Sequence, residues 1–210
     1  MKTLFLSSII VLGVLIAYEG RKHRKMQNKW TEDFWTREAR ANNTRKKSLE
    51  YLNYITIPFE SLPMETMKEH SAVQESHKTL QQLSTEKIVN FTGYTNTDLK
   101  LKYGTANITN LSQYDQNYTF LVRALQTWAE ALYLGGFEEE TRIILEFAVS
   151  TGTDMSHSYY ILADIYDSQG KSEKKAALIE AAENLRSSMR KVIAHTLKES
   201  GPYSGWLHSS

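Results

Sequence analysis

The amino-acid sequence predicts an all-α protein, with an N-terminal transmembrane helix followed by a body of antiparallel helical hairpins. Glycine (10) and proline (3) are scarce in the chain, which disfavours a turn-rich all-β protein. In the C-terminal half, apolar residues recur at helical spacing and matching residues recur 34 positions apart, which indicates a repeated helix–turn–helix unit. The length suits one domain with a sizeable core rather than two.

Composition excludes several classes of function. Hydrophobic residues make up 41% of the chain and charged residues 23%, which is typical of globular proteins. The absence of cysteine excludes disulfide frameworks, thiolate metal sites and cysteine nucleophiles. The formal net charge is only +1, so the chain as a whole is not expected to bind nucleic acid.

The first element is a predicted membrane anchor at residues 1–20. Residues 3–18 form an uncharged and largely apolar run, which gives about 24 Å of helix against a bilayer core of about 30 Å. Lys2 and Arg21 flank this run and can extend its usable length by reaching toward the headgroups. A cleaved signal peptide is the main alternative, but residues 16–20 lack the small-residue pattern of a cleavage site. A buried core helix is a further alternative.

The distribution of charge predicts the orientation of the anchor. Only Lys2 precedes the apolar run, whereas residues 21–50 carry ten Lys or Arg against four Asp or Glu. By the positive-inside rule, the sequence predicts a single-pass protein of the cell membrane with a cytoplasmic body. The basic segment is either expected to lie against anionic headgroups as well, or serves only as a stop-transfer signal, and the sequence leaves both open. Potential N-glycosylation triplets argue for the opposite orientation, and they begin at Asn42, Asn90, Asn107, Asn110 and Asn117.

Residues 21–62 are predicted to form a basic juxtamembrane helix followed by a strap. The helix is expected to continue to about Tyr54. Residues that precede proline avoid the α region, so the prolines at 58 and 63 predict an extended strap over Ile55–Pro63.

Residues 63–117 are predicted to form the helical and irregular N-terminal part of the body. Pro63 suits the first position of a helix over Met64–Leu83, and Ser84 is a candidate N-cap for a second, short helix. Asn90–Asn117 is rich in Asn, Thr, Gly and Tyr, and is predicted to be a long ordered loop with one short helix or a strand pair. Loops of this length are usually functional or wrongly assigned, and the sequence leaves both possibilities open.

Residues 118–200 carry the repeated unit and a capping helix. Gly136 and Gly170 lie 34 positions apart, where a left-handed residue would end the first helix of each unit. A helix over Ser187–Ser200 with one apolar face is expected to cover the last repeat, and residues 201–210 to form a tail. The other pairs at this offset are Leu125 with Tyr159, Trp128 with Leu162, Ala129 with Ala163, Leu132 with Tyr166, Leu145 with Ile179, and Ala148 with Ala182.

These features resemble the tetratricopeptide repeat, a helix–turn–helix unit that recurs with this same period. The resemblance covers residues 122–189, about a third of the chain. The sequence departs from the family's pattern at two places in each unit. Thr141 and Lys175 stand where the family has alanine, and Thr153 and Ser187 stand where it has its closing proline. A generic antiparallel helical bundle is the alternative architecture.

No motif predicts catalysis, a cofactor or a metal ion. The chain has no G-x-S-x-G, no phosphate-binding glycine loop and no H-E-x-x-H. His70 and His77 are seven residues apart on one predicted helix, or about 10.5 Å along its axis, too far to share one metal ion. The sequence therefore predicts a protein that is not an enzyme and has no catalytic or metal-binding residues.

The resemblance implies a protein-binding groove on the inner face of the first helix of each unit. An acidic groove of this kind would favour a basic or polar segment of a protein partner, and a solvated face without a partner is the alternative. The positions that follow from the register are Arg123, Gln126, Glu130 and Tyr133 in the first unit, and His157, Tyr160, Asp164 and Asp167 in the second.

These expectations combine into one functional hypothesis and two alternatives. The first is a membrane-anchored scaffold or adaptor that binds another protein at the cytoplasmic membrane surface. The second is an accessory subunit of a membrane complex that makes its contact through residues 90–117. The third is an enzyme with an unrecognised site in the same segment.

Overall fold

The computed structural model describes residues 18–23, 27 and 30–199, and this part of the chain is all-α, as predicted. Residues 18–23 and 27 are helical, and a short 3-10 helix spans Thr105–Asn107. The α-helices that follow residue 29 are α1 (30–42), α2 (Ser71–Leu83), α3 (Asn96–Tyr103), α4 (Ile108–Leu134), α5 (Glu138–Ser150), α6 (Ser156–Ser168), α7 (Ser172–Glu183) and α8 (Arg190–Glu199).

Most of the predicted anchor at residues 1–20, and the whole of the predicted tail at 201–210, lie outside the described residues. Within residues 18–23, 27 and 30–199, no helix combines the length and the apolar character needed to cross a bilayer.

The chain divides into two compact units. The small unit contains the described residues up to Ser48 together with Thr95–Ile108, and so includes α1, α3 and the 3-10 helix. The large unit contains Leu49–Tyr94 and the chain from Thr109 onward, and so includes α2 and α5–α8 and nearly all of α4.

Local capping fixes the position of α3 in the small unit. The Thr95 hydroxyl accepts a hydrogen bond from the Asp98 amide at 3.2 Å, and the Asp98 carboxylate accepts one from the Thr95 amide at 2.9 Å. This reciprocal capping box satisfies two amides that the first turn leaves unpaired. The helix ends at Gly104, whose φ is 91° and where a Cβ would lie 2.2 Å from the carbonyl oxygen of Arg45. Only glycine fits at this position.

The prediction that this helix continues to Tyr54 is wrong, because α1 ends at residue 42 and residues 44–49 are not helical. The Thr44 hydroxyl donates to the Arg40 carbonyl at 3.0 Å, which is the kind of local bond by which short polar residues compete with helix propagation. Beyond this point the Lys47 amide donates to the carbonyl of Tyr103 at 3.0 Å, a contact distant in sequence.

The segment predicted to be an extended strap, Ile55–Pro63, is not helical, and its residues form turns and coil rather than a strand. Ile57 and Leu62 are buried in the core of the large unit. The Ile55 amide donates to the carbonyl of Ile88 at 2.9 Å. The alternating apolar residues of the strap therefore cover the core without forming a sheet.

The helix predicted over Met64–Leu83 is correct only in its second part, since α2 begins at Ser71. Met67 has a φ of 51°, which lies in the left-handed region, so a right-handed α-helix cannot continue through this residue. The predicted short helix after Ser84 is also wrong. Ser84 ends α2 instead, where its hydroxyl donates to the carbonyl of Gln81 at 2.7 Å.

The predicted loop over Asn90–Asn117 contains the expected short helix, α3, but its second part is the start of α4. Helix α4 is 27 residues long and begins at Ile108, well before the predicted start of the repeats at residue 118. Two asparagines of this segment are buried rather than solvent-facing. Asn107 is fully buried and donates to the carbonyls of Lys47 and Tyr103, and Asn117 is buried and donates to the carbonyl of Lys87.

Helices α4–α8 pack as antiparallel neighbours whose landmarks recur at an offset of 34 positions. Helices α5 and α7 begin at Glu138 and Ser172, and α6 and α8 begin at Ser156 and Arg190. The ends of α4 and α6, at Leu134 and Ser168, are separated by the same offset.

The turns after α4 and α6 are built in the same way. Gly136 and Gly170 have φ values of 82° and 64°. After each glycine the next amide closes a bond to a carbonyl five residues earlier, from Phe137 to Leu132 at 2.9 Å and from Lys171 to Tyr166 at 2.8 Å. Together with the glycine amides, which donate three residues back, these bonds form the Schellman motif at both helix ends.

The core of the large unit contains the residues predicted at the helix–helix contacts. Trp128 and Leu162 are buried, as are Ala129 and Ala163, where helices approach closely. Helix α8 packs on α6 and α7, and its Ile193, Ala194 and Leu197 are buried, as expected of a helix that covers the last hairpin.

Candidate functional site

The predicted groove residues lie on α4 and α6, four on each helix, but they differ in exposure. The exposed ones are Arg123, His157 and Asp167. Glu130, Tyr133 and Tyr160 are half-buried. Gln126 and Asp164 are only 4% and 9% exposed. A partner could touch the exposed and half-buried residues directly, whereas Gln126 and Asp164 act mainly inside the protein.

A hydrogen-bond network joins three of the predicted residues across α4 and α6. The Gln126 side-chain amide donates to Oε1 of Glu130 at 2.6 Å, and Nδ1 of His157 lies 3.2 Å from the same oxygen. The hydroxyl of Ser158 donates to the side-chain oxygen of Gln126. The structure therefore brings Gln126, Glu130 and His157 together, and it adds Ser158, which sequence reasoning missed. In the sequence, Ser158 could have been found only as a small polar residue at a position of α6 that helical spacing predicts to be buried.

Tyr133 and Asp164 are also close enough to influence each other. Burial raises the pKa of the Tyr133 phenol, and the negative charges of Asp164 and Glu138 raise it further. Asp167, in contrast, forms an ion pair with Lys175 of α7 at 2.6 Å. Because this pairing neutralises one of its three acidic residues, the surface is less acidic than the sequence predicted.

A separate cluster centred on Glu146 of α5 was not predicted. Its carboxylate accepts hydrogen bonds from Lys174 at 2.8 Å, from the Tyr166 hydroxyl at 2.8 Å and from Arg142 at 2.6 Å. Burial acts to raise the pKa of Glu146, but these bonds outweigh it and lower the pKa to about 2. Since the partners come from α5, α6 and α7, the cluster fixes the packing of these helices.

The large unit also contains a polar pocket of about 400 Å³ that sequence reasoning missed. It lies at the C-terminal ends of α5 and α7 and is bordered by the start of the strap. Its lining residues are Asn53, Tyr54, Ile55, Asn90, Thr92, Ser150, Thr151, Gly152, Asn184, Leu185 and Arg186.

Asn90 organises one wall of this pocket. Its side-chain nitrogen lies within hydrogen-bond distance of the Tyr118 hydroxyl at 3.0 Å and of the carbonyls of Thr151 and Gly152 at 2.9 and 3.0 Å. Its oxygen accepts from the amide of Thr92 at 2.8 Å. The partners of the nitrogen are distant in sequence, so no local pattern could have revealed them.

Neither metal chemistry nor known relatives assign a function to these sites. Within the part of the chain that the structure describes, no three His, Asp or Glu side chains are grouped so that they could hold a metal ion. Comparisons with protein-family models, with curated proteins and with solved structures found no significant match.

Proposed function

We propose that the protein is a membrane-anchored scaffold with tetratricopeptide-like helical repeats, and that α4 and α6 bind a protein partner at the cytoplasmic membrane surface. The observation that carries this proposal is the pair of hairpins, α4–α5 and α6–α7, whose turns and helix ends recur at an offset of 34 positions. In such an arrangement the first helices of successive units lie side by side and present one continuous surface.

The two departures from the family's sequence pattern are compatible with the repeat. Thr141, in the place of alanine, is fully buried, and its hydroxyl donates to the Phe137 carbonyl at 2.8 Å. Thr153 and Ser187, in the place of proline, accept hydrogen bonds from the amides two residues later at 3.2 and 3.1 Å. Such turns direct the chain into the next helix by a side-chain bond instead of a proline ring.

The chemistry of the surface favours a polar or basic segment of the partner. Glu130 supplies negative charge at the surface, and Tyr133 and Tyr160 are half-buried rings of the type that often anchors an interface. The Gln126 side chain donates to Glu130 and is itself held by the Ser158 hydroxyl, which donates to its oxygen. The acidic residues are expected to govern association rate and selectivity more than affinity.

The cytoplasmic location of the body is supported by the environment of three of the five potential glycosylation sites, whereas Asn42 and Asn110 are exposed. A glycan would be attached to the side-chain nitrogen of asparagine. In Asn90, Asn107 and Asn117 this nitrogen donates hydrogen bonds to backbone carbonyls, and the last two residues are buried. A sugar at these positions is incompatible with the fold, which fits a body that is not exposed to the glycosylation machinery.

The proposal is tested by site-specific photocrosslinking in native membranes. A photoreactive amino acid in place of the exposed Arg123 or His157 should give the same discrete protein adduct, while one at the exposed Glu173 of α7 should not. Adding Glu130→Gln and Tyr160→Ala should remove that adduct with the fold intact by circular dichroism. The same adduct from all three positions, or an adduct that survives both substitutions, would exclude this surface as the binding site.

A further inference from the structure

The polar pocket at the ends of α5 and α7 contains one full charge, and this charge is positive. Among the lining residues only Arg186 is charged, and it forms no ion pair within the described part of the chain. Its guanidinium is held by Tyr94, whose hydroxyl accepts from Nη1 and whose ring lies 5.2 Å below the central carbon. Tyr94, and not a carboxylate, therefore positions Arg186. The other N–H donors of the Arg186 guanidinium stay available.

A glycine allows the segment that carries Tyr94 to approach Arg186 closely. Gly93 has a φ of 84°, and a Cβ there would lie 2.8 Å from both the Cβ and the carbonyl oxygen of Arg186. Any other residue at this position would push the two segments apart. The spacing of the arginine from the segment that carries Asn90 and Thr92, which line the pocket, depends on this glycine.

Two neutral amides face the same pocket without an internal partner. The side chains of Asn53 and Asn184 line the pocket and are exposed, and neither side chain makes a hydrogen bond to any described residue. An asparagine side chain offers both donors and an acceptor, which matches the hydrogen-bonding groups of a peptide bond.

The carbonyl oxygens at the end of α5 would repel an anion if they were unpaired. Asn90 satisfies the carbonyls of Thr151 and Gly152, and the Tyr118 hydroxyl also donates to the first of these at 3.3 Å. Burial raises the pKa of Tyr118 to about 12, so this hydroxyl remains a donor at physiological pH. The wall near the helix end is thereby neutralised, and Arg186 determines the charge preference of the pocket.

We propose that this pocket binds a carboxylate attached to an amide, as found at the C-terminus of a peptide or in a small acylated amino acid. Arg186 binds the carboxylate through the fork of its guanidinium, and Asn53 and Asn184 pair with the neighbouring amide. A volume of about 400 Å³ lies within the usual range of small-ligand sites and suits a ligand of this size. The site is separate from the α4–α6 surface and does not depend on the proposed scaffold function.

The test uses the purified full-length chain and ligand-observed saturation-transfer NMR with three probes. These are acetyl-alanyl-alanine with a free carboxylate, the same dipeptide as its C-terminal amide, and acetate. The free acid should bind saturably with a dissociation constant of about 1 mM or lower, and the amide at least about tenfold more weakly. Acetate lacks the amide that Asn53 and Asn184 bind, so it should compete only at about tenfold higher concentration or more. Competition by acetate at the same concentration as the acid would contradict the amide contacts.

Variants test the assigned roles. Arg186→Gln should weaken binding of the acid by about tenfold or more, and Arg186→Lys should weaken it too because lysine lacks the planar fork. Asn53→Ala combined with Asn184→Ala should weaken binding while leaving the melting temperature unchanged. Lys78→Gln removes a positive charge from an exposed position on α2 and should have no effect.

Three results would overturn the proposal. One is equal binding of the acid and the amide by the unmodified protein, and another is the absence of saturable binding of the acid up to about 10 mM. The third is Arg186→Gln protein that binds the acid as the unmodified protein does. The first two comparisons need no variant, so the proposal can be rejected even if a substitution disturbs folding.

Discussion

Two buried nitrogen atoms in the core of the large unit have no hydrogen-bond partner among the described residues. They are Nε2 of His77 and Nε1 of Trp128, and the two rings meet edge to face with centroids 4.5 Å apart. Burial lowers the pKa of His77, and the weaker attraction of Glu65 acts in the opposite direction. A protonated His77 would place a second N–H donor where no acceptor lies, so the folded state disfavours the imidazolium.

We therefore expect the free energy of unfolding to decrease as the pH falls from about 7.5 to 5.5. The folded-state pKa of His77 lies below its unfolded value near 6.5, so the unfolded chain binds more protons in this range and acid favours unfolding. His77→Gln should flatten the dependence, measured by urea denaturation at a series of pH values. His70→Gln removes an exposed histidine just before α2 and should preserve it. Equal pH dependence in the unmodified protein and in His77→Gln would contradict this explanation.

At the scale of the helices, the packing of α6 against its neighbours should contribute strongly to the stability of the repeats. Leu162 is 1% exposed and occupies the position in its hairpin that Trp128 holds in the preceding one. Leu162→Ala should lower the free energy of unfolding by about 2–5 kcal/mol, because truncation removes buried surface and leaves a cavity. Leu134→Ala, at the 63%-exposed end of α4, should cost less than about 0.5 kcal/mol. Chemical denaturation followed by circular dichroism measures both, and similar losses for the two variants would contradict the assigned packing.

The sequence predicted the helices best where the signal was repeated. The recurring offset located the turns at Gly136 and Gly170 and the buried residues between them, because a left-handed glycine and an apolar stripe are both local features. Before residue 118 the predicted boundaries were wrong at the end of α1, at the start of α2 and after Ser84. There, local side-chain bonds such as those of Thr44 and Ser84 compete with helix propagation, and contacts between distant segments, such as the Lys47 amide with the Tyr103 carbonyl, hold the chain beyond the helix end.

The same distinction applies to the candidate sites. Helical register placed all eight predicted residues on α4 and α6, but register alone cannot show that Asp164 is almost buried or that Asp167 pairs with Lys175. Those facts depend on the neighbouring helices. The pocket around Asn90 and Arg186 was missed because its walls come from four separate segments of the chain.

At the scale of the whole molecule, charge is divided between the N-terminal segment and the body. Residues 21–50 carry a net charge of +6 from ten basic and four acidic residues, and residues 51–210 carry −5 from fourteen basic and nineteen acidic residues. A basic segment next to an apolar run is retained on the cytoplasmic side of a membrane. An acidic body beyond it is repelled by anionic headgroups. The division therefore favours the proposed cytoplasmic body, with the basic segment kept at the membrane surface.

This topology can be tested by cysteine labelling because the chain has no native cysteine. Lys171→Cys places a thiol at an exposed position between α6 and α7, and Lys2→Cys places one on the other side of the predicted anchor. With a cytoplasmic body, a membrane-impermeant maleimide should label Lys2→Cys but not Lys171→Cys in intact cells, and both after permeabilisation. The reverse pattern would show that the body lies outside. Labelling of Lys171→Cys in intact cells, with loss of the Lys2→Cys label from the mature protein, would show that residues 1–20 are a cleaved signal peptide.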